Sequence, residues 1–282
     1  MKVWHSILLV MGREFRARKK AFSVVSTVLV TLAVGGIVIA YFAASNEGGP
    51  RMSSSEADQL LGSLSVIFLF LAIIFTGQVI MEGVAEEKRS RVVEVVLGTM
   101  HPRHLLIGKV TAIGLLGFAE IVLALGSLLA TAEILDVFEI PRGTAVGLAT
   151  VVIWFLLGFS LYSVFYGASG ALVAPHENVA NAAFPINMIL VIPYMVTLTS
   201  VRAGDTMALR VLSLVPLTAP LSMPTRMVRG FAAPWEIAVS MALVVVTTYG
   251  LTRFAGRLYA GAVMQGGKVR WAQAWRTARD LR

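Results

Sequence analysis

Apolar stretches of about 20 residues alternate along the chain with short polar connections, which is the pattern of helices crossing a bilayer. The first is Phe22 to Phe42. A short link follows, Asn46-Glu47-Gly48-Gly49-Pro50 and then Ser53-Ser54-Ser55, before a second run from Leu60 to Ile80. Met81 to Lys109 is polar, Val110 to Ala132 is apolar again, and an acidic loop with Glu133, Asp136 and Glu139 leads into Thr144 to Val173. The length of that fourth run predicts tilt or an overhanging end. Pro175-His176-Glu177-Asn178 predicts a tight turn, and a fifth run, Val179 to Val201, carries Pro185 and Pro193, which predict kinks. Leu209 to Pro234 is apolar but divided by Pro216, Pro220, Pro224 and Pro234. Within it Val211 to Met223 reaches about 20 Å across a core about 30 Å thick, so short external or re-entrant helices are predicted there. Trp235 to Phe254 completes six spans.

Charge sets the orientation of these spans. Of the 24 lysines and arginines, all but Arg51, Arg142, Arg202, Arg210, Arg226 and Arg229 fall on the N-terminal segment, the second-to-third connection or the C-terminal tail. Basic loops stay in the cytoplasm, so both termini are expected inside. A seventh span through Leu209 to Pro234 would put the basic tail outside, against that bias. The first apolar run, Ala21 to Ala44, is too long for a signal-peptide core and reads as a retained anchor. Before it, Trp4, Ile7, Leu8, Met11 and Phe15 recur at helical spacing opposite Lys2, Ser6, Arg13, Arg16 and Lys20, the pattern of an interfacial helix. Arg18 interrupts the apolar face, and Glu14, four residues earlier, is placed to pair with it.

Composition narrows the class. The 282 residues are 57% hydrophobic and 14% charged, with a mean hydropathy of +0.78, which excludes a water-soluble globule. The net charge of +8 is topological and does not indicate nucleic-acid binding. There are no cysteines, hence no disulfides, thiolate metal sites or cysteine nucleophiles.

Candidate chemistry is sparse. Glu82 to Leu97 follows the second span without a linker and reads as one short cytoplasmic helix. Glu87 and Arg91 are four apart in the favourable order, while Val92, Val95, Val96 and Thr99 form a stripe. Such a helix either docks in a partner's groove or rests on lipid headgroups. Glu120 is the one acidic residue deep in a span, about 16 Å beyond Lys109 and near the midplane. An intramembrane carboxyl is a functional candidate, either contacting a cationic substrate or accepting a proton, against the alternative of a protonated group bonded to a neighbouring helix. Asn181 and Asn187 read first as interhelical hydrogen-bonding groups, as does Gln78. His101 and His104 lack further metal ligands. The phosphate-cradling Gly-x-x-x-x-Gly-Lys-[Ser/Thr] pattern is absent: Gly261 to Lys268 places its lysine one residue late, and Val269 has no hydroxyl. No Gly-x-Ser-x-Gly elbow occurs either.

Two motifs carry a resemblance. Glu86 to Glu94 reads Glu-Glu-Lys-x-x-Arg-x-x-Glu, followed by Pro102 and by Gly108-Lys109 opening the third span. Val215-Pro216-Leu217-Thr218-Ala219-Pro220-Leu221-Ser222-Met223-Pro224-Thr225-Arg226-Met227 is followed by Trp235-Glu236, Tyr259-Ala260-Gly261 and Gly266-Gly267-Lys268. In order and spacing the chain resembles permeases of type-2 ATP-binding-cassette (ABC) exporters, closest to the sodium-extrusion permeases of the NatB kind. Those relatives carry a large external domain between spans one and two, where this sequence offers about Ala43 to Gln59.

The resemblance implies an all-α permease in a bacterial plasma membrane, paired with a second copy or a homologue and driven by a separate ABC ATPase that holds the ATP and magnesium. It divides residues 1–282 into an interfacial connecting helix (1–21), spans one and two (22–80), a coupling segment (81–109), spans three to five (110–201), external helices (209–234), span six (235–256) and a basic tail (257–282). ATPase coupling falls to Glu82, Glu86, Glu87, Lys88, Arg91 and Glu94, and the translocation path to Glu120, Asn181 and Asn187. The contrasting expectations are a self-contained ion-coupled carrier that uses Glu120, and a membrane enzyme, for which the convergent polar residues are too few.

Overall fold

The computed structural model describes residues 2–46, 53–89, 102–137, 144–173 and 178–263. Among these residues the chain is helical without strands. In order the helices are α1 (Lys2–Asn46), α2 (Ser54–Arg89), α3 (Pro102–Ile134), α4 (Thr144–Leu172), α5 (Val179–Ala203), α6 (Met207–Leu214), α7 (Ala219–Val228) and α8 (Pro234–Val263). Six contain stretches long and apolar enough to cross a membrane: Phe22–Phe42, Gln59–Glu87, Gly108–Ile134, Val146–Leu172, Val179–Ser200 and Pro234–Arg253. The protein is an all-α, multi-pass membrane protein.

Two boundaries differ from the sequence expectation. The segment 1–21 and the first span form one helix of 45 residues, about 67 Å long at 1.5 Å per residue; no proline or glycine stands between Arg13 and Val34 to break it. The side chains of Trp4, Ile7, Leu8, Phe15 and Arg18 lie outside the described set. Likewise Glu82 does not begin a separate helix, because α2 continues to Arg89. Met81, Val84 and Ala85 are buried, so packing carries the helix beyond the apolar run. Residues 90–101 lie outside the described residues, and with them Arg91, Glu94, His101 and the Val92 to Thr99 stripe; so do 264–282 of the basic tail.

Helix α2 packs mainly on α4, α1 on α3, and α8 on α4, with α5 alongside α2. Helices that are apolar all round need small residues to approach closely, and α4 has Gly170 where it meets α2. A Cβ at this position would stand 2.6 Å from the Met81 carbonyl oxygen and 3.1 Å from Val84 Cβ. Gly170→Ala should therefore push the two helices apart and cost roughly 1–3 kcal/mol, read as a lower unfolding temperature in lipid nanodiscs. Gly126→Ala, where nothing lies within 4 Å of the added carbon, should leave that temperature unchanged.

The lipid-suited surface includes α1, α5 and α8, where Val24, Val28, Phe184, Ile192, Val239 and Val246 are exposed, and the outer face of α3 with Leu115, Val122 and Leu123. Pro185 and Pro193 are both contained within α5.

Between the fifth and sixth spans, α6 and α7 form a short hairpin. At 8 and 10 residues they are about 12 and 15 Å long, too short to span. Residues Ala219 to Arg226 of α7 are all buried. An aromatic row on α4 receives them: the Trp154 indole N–H donates to Met227 Sδ at 3.1 Å and the Tyr162 hydroxyl donates to the Leu217 carbonyl at 2.6 Å. From α5, Thr197 and Ser222 share a hydroxyl hydrogen bond of 2.9 Å.

Candidate functional site

Three groups of polar side chains stand out in an otherwise apolar bundle. The first joins α1, α2 and α3. Lys109, 1% exposed, places Nζ 2.8 Å from Glu87 Oε1, and Arg13 Nη2 donates to the same oxygen at 3.0 Å. Glu14 Oε1 accepts from Arg13 at 3.2 Å and lies 3.9 Å from Lys109 Nζ. Two cations thus meet two carboxylates, which offsets the cost of taking a lysine out of water.

This arrangement revises the sequence expectation for Glu87. Glu14 meets Arg13 and Lys109, and its expected pairing with Arg18 falls on a side chain outside the described set. Glu87, expected on an outward ionic face, is buried and bonded within the bundle. Glu82 and Glu86 are exposed on the same helix end, and the side chain of Lys88 lies outside the described set.

The second group surrounds Glu120, which is 4% exposed. Among the described residues its Oε2 has no hydrogen-bond partner. It lines a cavity of about 20 Å³ together with Phe22 and Val25 of α1, Phe75, Thr76 and Val79 of α2, and Ile113 and Leu116 of α3, room for about one water-sized group. Asn187 is not part of that lining; its Oδ1 accepts from the Tyr166 hydroxyl, which ties α5 to α4 as expected of an interhelical group. Asn181 is exposed near the start of α5. The three residues expected along one path are therefore not brought together in this conformation.

The third group lies at the other end of the bundle. The direction of α3 and α4 makes this plain: α3 leads away from Lys109, and the first turns of α4 meet α7, where Gly147 stands beside Val228. Arg226 is fully buried. Its Nε donates to Asp205 Oδ1 at 2.9 Å, Nη1 to Ser213 Oγ at 2.8 Å, and Nη2 to Glu236 Oε2 at 2.9 Å and to the Phe231 carbonyl at 3.3 Å. Glu236 also accepts from the Ala233 backbone N–H at the start of α8, and Ser240 donates to the Ser213 carbonyl at 2.6 Å. Burial acts to raise the Asp205 pKa, but hydrogen bonds and charge from Arg210 and Arg226 outweigh it and hold the carboxyl below its ordinary value.

This network explains why arginine and glutamate stand in the second sequence motif, although neither residue was singled out for a role. Arg226 and Glu236 sit on different helices, so helical spacing gives no pairing signal. The one clue was a basic residue inside an apolar, proline-rich stretch.

Residues 40–255, which include spans two to six and only the last three residues of the first, match the family described as ABC-2 family transporter protein. The chain belongs to the ABC-2 transporter family. It is a membrane component of that transporter class. The uncharacterized protein YhaP of Bacillus subtilis is 27% identical over 225 residues, which is 75% of this chain and 54% of that protein. The uncharacterized protein MJ1024 of Methanocaldococcus jannaschii is 26% identical over 189 residues, 67% of this chain and 46% of that protein. The chain thus spans about half the length of these curated relatives.

Proposed function

We propose that this chain is the permease subunit of an ABC exporter, moving its substrate out of the cytoplasm on ATP hydrolysed by a separate nucleotide-binding subunit. The observation that carries this reading is the ionic joint of Glu87 with Lys109 and Arg13. It fastens the end of α2 to α1 and α3 at once, so a force applied to that end reaches the bundle. Membership of the ABC-2 family supports an ATPase partner in general. Glu82 and Glu86, with Lys88, Arg91 and Glu94, are the groups proposed to touch that partner, and Glu87 holds the end of α2 in place. Binding energy shifts inward- and outward-facing populations only through differential affinity, so these contacts must differ between the two states.

In this reading both termini are cytoplasmic, the membrane is a bacterial plasma membrane, and two copies or two homologous subunits face one another with the substrate passing between them. Glu120 contributes to that path. The resemblance to sodium-extrusion permeases places sodium among the cargoes to be assayed. Affinity purification of the tagged chain should recover a nucleotide-binding subunit, and vesicles containing both should transport only with ATP. Transport by the chain alone on an ion gradient would overturn the proposal in favour of a secondary carrier using Glu120.

A further inference from the structure

The cavity around Glu120 has an acceptor that nothing among the described residues satisfies. Glu120 is nearly fully buried, Oε2 is without a partner, and Thr76, the other polar residue of the lining, has already given its hydroxyl proton to the Ala72 carbonyl. The remaining lining is aliphatic or aromatic. A bare metal cation is poorly served: one carboxyl and one hydroxyl fall short of the oxygen shell that hard cations take, and no group of three or more metal-ligating side chains occurs among the described residues. A donor of about the size of one water molecule satisfies that oxygen, and one that carries positive charge also lets the carboxyl stay ionised in an apolar setting.

We infer that the Glu120 cavity is a recognition site for the protonated primary amine of an otherwise apolar molecule. The ammonium group fits the space and donates to the carboxylate, while the substituent, for which the cavity has no room, leaves it past half-buried lining residues such as Phe22 and Val25. The inference rests on the reading of Glu120 as part of the translocation path, and it names the substrate class.

The test is equilibrium binding of radiolabelled octylammonium to the full chain in phosphatidylcholine nanodiscs, with no ATPase present. Saturable binding is expected, weakened about tenfold or more in Glu120→Gln and retained in Glu120→Asp. Tetraethylammonium, which has charge but no N–H, octanol, which has a donor but no charge, and sodium should not displace the ligand. Absence of saturable binding, equal binding by Glu120→Gln, or displacement by sodium as effective as by the amine would overturn the assignment. If Glu120→Gln does not keep the wild-type unfolding temperature, Phe75→Ala decides the matter. It leaves the carboxyl in place and enlarges the cavity, so preference should shift toward N-methyloctylammonium; an unchanged preference counts against the site. Because binding is read without ATP, its failure leaves the ATPase-driven permease standing, and failure to recover an ATPase leaves the amine site standing.

Discussion

Arg226→Ala should destabilise the protein by roughly 3–5 kcal/mol, the cost of removing one partner from a buried ion pair. The guanidinium is fully buried and serves Asp205, Ser213, Glu236 and the Phe231 carbonyl together. Its loss leaves a nearly buried glutamate at the start of α8 without its ion-pair partner. Thermal unfolding in nanodiscs measures the loss, and hydrogen exchange should locate it in α6 and α7. Arg226→Met combined with Glu236→Gln removes both charges and should recover part of the stability, whereas Arg226→Lys, which lacks the planar fork, should fall between. The same network responds to pH. Since the Asp205 pKa is depressed in the folded protein, its contribution is fully present above the ordinary carboxylate range. It is lost as pH falls through the lower folded value, so hairpin exchange should accelerate only in acid.

Glu87→Lys should abolish coupling between ATP hydrolysis and transport, because it places a third cation against Lys109 and Arg13 where a shared carboxylate oxygen now holds both. Combining it with Lys109→Glu restores opposite charges in the same volume. If Glu87 acts through Lys109, this exchange should regain most of the ATP-dependent transport lost in the single variant, and with it the unfolding temperature. Recovery of stability without recovery of transport would instead mean that the Glu87 carboxylate meets the ATPase directly. Reconstituted vesicles with the recovered nucleotide-binding subunit supply the measurement.

The six spans were legible because run length alone decides whether a helix crosses a bilayer, and prolines at 216, 220, 224 and 234 were enough to forbid a seventh. The direction in which each polar side chain faces was not legible. Helix α2 is apolar nearly all round, so its sequence does not say whether Glu86 or Glu87 points inward; that depends on Lys109 arriving from α3. The end of α2 was misplaced for the same reason: Met81, Val84 and Ala85 look like the start of a polar segment until α4 covers them. Glu120 was legible as an isolated intramembrane acid, but its lack of a donor depends on Thr76 having given its proton to its own helix. Asn187 was read as a bonding group, although its partner Tyr166 carries no sequence mark distinguishing it from other aromatic residues of α4.

Where α2 crosses α4, any side chain added at Gly77 would have its first carbon 2.2 Å from the Tyr166 ring, and one at Gly158 would meet Ile73 at 2.9 Å. With ring and methyl groups seated against bare backbone, neither helix has clearance to slide along the other. The pair is therefore a single rigid unit of the molecule. Spin labels or fluorophores placed on α2 and α4 should hold a constant mutual distance through a transport cycle, and displacement of any other helix can be measured against the pair.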